Sequence, residues 1–94
     1  MPRSSEAARA EAHVALPAQV DLHARPAANF VRTAMRFSSA IYVNTAEREV
    51  DAKSLLSVLS LGAKGGTILG LRALGEDADP AVAVLVTTVS ELRD

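Results

Sequence analysis

The spacing of apolar residues changes period several times along these 94 residues, and this switching limits the fold more than any other feature. From Ala12 to Leu16 the pattern alternates, with Ala12, Val14 and Leu16 facing one way and His13 and Ala15 the other. That is the signature of a half-buried strand. Pro17 cannot donate a ladder hydrogen bond, so the strand is expected to end there or to lie at a sheet edge. The period then lengthens. Ala27, Phe30, Val31 and Ala34 fall at i, i+3, i+4 and i+7, with Arg32 and Arg36 turned outward, which predicts an amphipathic helix. Pro26 belongs in its first turn, where a missing N–H costs nothing.

Alternation returns at Ile41 and Val43, giving a second strand, and a polar turn through Thr45, Ala46 and Glu47 leads to a weaker third strand around Glu49 to Ala52. Ser54 through Leu61 reads as a short helix with Ser54 as N-cap and Gly62 as its end. Gly65 and Gly66 make a turn before a fourth strand, Thr67 to Ala73, with Leu69 and Leu71 on one face. Asp79 and Pro80 supply an N-cap and a first-position proline for a last helix. Its valines favour strand. However, Val82, Leu85, Val86, Val89 and Leu92 sit at i, i+3, i+4, i+7 and i+10, which a helix explains and a strand does not. The order is β-α-β-β-α-β-α. It predicts an α+β domain, one four-stranded antiparallel sheet with three helices packed on a single face. Residues 1–10 are expected to form a flexible leader and residues 11–94 the domain.

Composition narrows the function. The chain has no cysteine, so neither a disulfide nor a thiol nucleophile is available. The formal net charge of −1 offers no basic excess for a phosphate backbone. Two Phe, one Tyr and no Trp are too few aromatics for a reader that stacks bases. Neither nucleic acid nor a membrane surface is expected as partner. No apolar run has the length of a transmembrane helix, and the leader lacks the apolar stretch of a signal peptide, so the cytoplasm is the expected location. Gly62, Gly65, Gly66 and Gly70 match neither nucleotide-binding glycine pattern and read as turn or packing residues.

Of the two histidines, His13 lies on the polar face of a strand, where a solvated side chain is sufficient explanation. His23 stands at the mouth of the first helix. Free N–H groups and the helix dipole attract anions there. The amides of Ala24 and Arg25 are available, whereas Pro26 has none, and Arg25 adds a planar cation suited to phosphate oxygens. A nucleophile, an anion cradle and a guanidinium thus fall within three residues. Taken alone the stretch supports two readings: a phosphate-accepting histidine, or a histidine that merely caps its helix.

The residues Leu22-His23-Ala24-Arg25-Pro26-Ala27-Ala28 resemble the active-site signature of HPr, the histidine-containing phosphocarrier family of the bacterial phosphoenolpyruvate:sugar phosphotransferase system. The block Ala52 to Gly62 is similar to that family's regulatory-serine segment, and the likeness continues through Gly75-Glu76-Asp77. The resemblance implies that His23 accepts phosphate on Nδ1 from Enzyme I and passes it to an enzyme IIA domain, with Arg25 steadying the phosphoryl oxygens. It implies no metal and no cofactor. It also implies that HPr kinase/phosphorylase acts on Ser54 in some lineages, although a serine there is already explained as a helix cap. Leu55, Leu56, Val58, Leu59 and Leu61 wrap more than half of the Ser54 helix, so some are expected to be exposed. Leu55, Leu56 and Leu59 are the candidates for docking partners.

A monomer suits such a shuttle. A carrier in a nitrogen-type regulatory relay uses the same chemistry and stays open, as does a regulatory interaction module on the same fold; turnover of a small molecule by this chain alone is not expected. One departure from the family stands beside the histidine. The position two residues before it is commonly Gly, whereas here it is Asp21. That carboxylate either repels an incoming phosphate or orients the imidazole.

Overall fold

A computed structural model describes residues 8–94 of the chain. The elements are β1 (Arg9–Ala15), α1 (Ala24–Ala34), β2 (Ala40–Asn44), β3 (Glu49–Asp51), α2 (Leu55–Leu59), β4 (Ile68–Leu74) and α3 (Ala78–Ser90). The four strands form one antiparallel sheet in the order β1-β4-β2-β3. The α+β element order and the single four-stranded antiparallel sheet are those expected from the sequence.

The sheet has one covered face. On it lie Val14, Ile41, Val43, Leu69, Leu71 and Ala73, and α3 packs on the β1–β4 half through Leu85 and Val89. Helix α1 lies against α3 and α2, burying Ala27, Phe30, Val31 and Ala34. Leu16, Phe30, Ile41, Leu69, Leu71 and Leu85 are the largest side chains with no access to solvent. The opposite face is polar: Arg72 lies over the Tyr42 ring at 4.5 Å and pairs with Glu49 at 2.8 Å. That hydrogen bond holds the Glu49 carboxyl below its ordinary range. Gly70 sits in this face with Asn44 lying across it. A Cβ at Gly70 would come within 2.5 Å of the Asn44 amide, so a side chain there would displace the Asn44 side chain.

Element boundaries differ from the sequence reading at several points. β1 begins at Arg9, because Arg9 and Ala10 already pair with Leu74 and Ala73. The expected leader therefore overlaps the first strand, and its residues 1–7 lie outside the described residues. Helix α1 starts at Ala24, which makes Pro26 its third residue; the only amide lost is still one with no intrahelical partner. Helix α3 starts at Ala78 with Asp77, not Asp79, at the N-cap position. The Asp77 carboxylate does not cap its own helix. It accepts the backbone N–H groups of Ser38 and Ser39, each at 2.9 Å, and their hydroxyls as well, because the loop from α1 to β2 presents four donors to it. Asp79 is left in the first turn, where a negative charge meets the helix dipole favourably.

Candidate functional site

The loop before α1 is fixed by a second loop far along the chain. Leu16 and Leu22 donate backbone hydrogen bonds to Thr67 and Ala63, each at 2.9 Å, and Gly66 returns one to Leu16 at 3.1 Å. Gly65 packs so closely on this segment that a Cβ would lie 2.1 Å from the Ala18 carbonyl oxygen. Leu22 is buried beneath the loop, which leaves His23 at the rim.

His23 occupies the N-cap position of α1 with extended backbone (φ −77°, ψ −174°), and its side chain makes no capping hydrogen bond. Its carbonyl accepts the Ala27 N–H at 2.9 Å. The ring is 63% exposed, and its Nε2 lies 3.7 Å from Oδ2 of Asp21. Oδ1 of the same carboxylate accepts the Gly65 N–H at 2.8 Å. A shallow depression of about 210 Å³ opens beside the ring, walled by Asp21, Ala24, Leu59, Gly62, Ala63 and Lys64. Three of these residues are not expected from the sequence as parts of a site: Gly62, read as a helix end, and Ala63 and Lys64. Ala63 and Lys64 belong to no short motif, and the pairing of the two loops brings this segment to His23.

Ala24 and Arg25 are the first two residues of α1 and are exposed. Arg25 does not line the depression beside His23. It lines another one together with Asn29, Arg32, Glu91, Arg93 and Asp94, on the side of the C-terminal residues. Ser54 caps α2, its hydroxyl oxygen accepting the Ser57 N–H at 3.3 Å. Of the three expected docking leucines, Leu56 is 80% exposed and Leu55 39%. Leu59 is half-buried on the core and forms part of the His23 depression. The short α2 packs on α1, which brings the apolar patch and the histidine to one side of the molecule. Among the described residues no cluster of His, Cys, Asp or Glu has the arrangement of a metal site, and no helix is long and apolar enough to cross a membrane.

The family model described as "PTS HPr component phosphorylation site" matches residues 10–91. The chain belongs to the HPr family. The phosphocarrier protein HPr of Haemophilus influenzae is 44% identical over 72 residues, covering 77% of this chain and 85% of that protein. The HPr of Lysinibacillus sphaericus is 42% identical over 71 residues, covering 76% and 81%. The crystal structure of an HPr from Bacillus anthracis superposes with a TM-score of 0.83 at 32% identity, covering 88% of this chain and 99% of that one. The chain is thus a phosphocarrier of the phosphotransferase-system type, and its fold is the HPr fold.

Proposed function

We propose that His23 accepts a phosphoryl group on Nδ1 from phosphorylated Enzyme I and delivers it to enzyme IIA domains of the sugar phosphotransferase system. The observation that carries this reading is the freedom of the ring. It sits at the N-cap of α1, exposed to solvent, yet is not used as a cap. A histidine placed there only to hold the helix would make that bond. Phosphoryl transfer needs in-line access and stabilisation of charge more than covalent machinery, and an open imidazole beside the unpaired amides of a helix start offers both.

Arg25 neutralises phosphoryl oxygens from the second helical position, its exposed side chain turning toward the incoming group. Leu55 and Leu56 give the docking partner an apolar surface, with Leu59 linking that surface to the His23 depression. HPr kinase/phosphorylase acts on Ser54, where a phosphate places about two negative charges beside the same surface. The carrier works as a single copy in the cytoplasm, without a metal or cofactor.

The deciding experiment is intact-mass spectrometry after incubation with Enzyme I and phosphoenolpyruvate, followed by addition of a sugar-specific enzyme IIA. One acid-labile phosphoryl adduct is expected on the native chain, with none on His23→Ala, and the adduct is expected to discharge onto the enzyme IIA. Label retained by His23→Ala overturns the assignment of the site. An adduct that the sugar-specific partner cannot remove places the carrier in a regulatory relay instead.

A further inference from the structure

The Asp21 carboxylate is held in an unusual way for an exposed side chain. One oxygen is anchored to the Gly65 amide at 2.8 Å, and Gly65 is itself pressed against the Ala18 carbonyl, where no side chain fits. The other oxygen is thereby aimed at Nε2 of His23, 3.7 Å away. That separation is longer than a hydrogen bond, but a small rotation of an exposed imidazole closes it, as such contacts tighten in a reacting complex. The carboxylate addresses Nε2 and leaves Nδ1 open.

We infer that Asp21 is a positioning residue for phosphoryl transfer: it holds the His23 proton on Nε2, presents the Nδ1 lone pair to phosphorus, and stabilises the positive charge that the ring acquires. The inference rests on His23 being the acceptor. In the step, the Nδ1 lone pair forms the new N–P bond while the bond between phosphorus and the donor breaks, its electron pair leaving with the donor. Nε2 keeps its proton throughout. The imidazole, neutral before attack, is cationic once Nδ1 is bonded to phosphorus, and that charge develops beside a fixed carboxylate. The same division of labour operates wherever a carboxylate orients a reacting histidine through its second nitrogen. Repulsion of the phosphoryl group is limited because the carboxylate faces Nε2, not the nitrogen that takes the phosphorus.

Two substitutions separate this role from simple bracing. Asp21→Asn can keep the carbonyl oxygen on the Gly65 N–H, but it turns an amide NH2 toward Nε2, which favours the tautomer with its proton on Nδ1. Asp21→Gly removes both contacts and leaves the ring to its own preference. The readouts are the 15N shifts of the His23 ring in the free protein, at a pH where the ring is neutral, and the initial rate of phosphoryl acceptance from phosphorylated Enzyme I. Both the Nε2–H fraction and the rate are expected to fall in the order Asp, Gly, Asn. The Gly variant should lose about 1.5- to 5-fold in rate, the range of an exposed ion pair, and the Asn variant more. A brace alone gives the opposite order, with Gly the slowest and the tautomer unchanged, and that result overturns the inference. So does faster acceptance by Asp21→Gly, which would mean that the carboxylate repels phosphate. Failure of the acceptor reading looks different, because the native chain then takes no label on His23 at all, and both statements fall together.

Discussion

At the scale of single residues, Asp77 shows how one side chain can tie two parts of the fold. Its two oxygens collect the hydroxyl and N–H donors of Ser39 and Ser38. The Ser39 hydroxyl, then the Ser38 amide, lower its pKa from 3.8 to about 2. Because the folded value lies below the unfolded one, the carboxylate stabilises the fold above the unfolded value, and this contribution disappears as pH falls through 3.8 toward 2. Asp77→Asn is therefore expected to melt at a lower temperature than the native chain at neutral pH. The gap should narrow below about pH 4. Thermal melts of both proteins across that range check it; a constant gap would place the effect in packing. His23 was legible in the sequence because its neighbours, the first turn of a helix and a proline inside it, are local signals. The contact of Asp21 with Gly65 was not, since those residues are 44 positions apart and meet only after two loops have paired.

Among the elements, α2 is the most dependent on its end. It has five residues and buries only Val58, so little of its stability comes from packing. Ser54→Ala removes the cap and is expected to cost about 1 kcal/mol, or about 4–8 °C in the melting temperature of a domain this size. Ser54→Asp keeps an acceptor at the same place and should melt close to the native chain. The Asp variant should nevertheless take phosphate from Enzyme I more slowly if α2 is a docking element, because it puts a charge among Leu55, Leu56 and Leu59. Unchanged initial rates would remove α2 from the docking surface. The type of every element could be read in the sequence, α2 from its serine cap and closing glycine, and α3 from periodicity although its valines argued for strand. The ends were harder. The start of α3 is set by Asp77 turning to the α1–β2 loop, a tertiary choice that propensity does not encode. β1 began earlier than expected because Ala10 continues the alternation too weakly to be seen.

For the molecule as a whole, one covered sheet face gives a sharp asymmetry between substitutions. Leu85 is fully buried between α3 and the sheet, and Leu85→Ala is expected to cost about 2–5 kcal/mol, the price of a cavity and lost burial. Ile68, the first residue of β4, is 56% exposed, and Ile68→Thr should stay within about 0.5 kcal/mol. Chemical denaturation of the two variants tests the contrast; a large loss for Ile68→Thr would mean that the open face is covered in solution. The general architecture was legible because a sheet with one dry face must alternate. How the loops assemble beside His23 was not, because a backbone bond such as that from Leu22 to Ala63 leaves no trace in side-chain pattern. The openness of that rim has a further consequence for the proposed chemistry. A phosphorus–nitrogen bond on a ring so accessible has no lid against hydrolysis, so charged carrier would drain with time unless a partner collects it. The fraction loaded would then register how fast phosphate is arriving at any moment, rather than how much has ever been delivered.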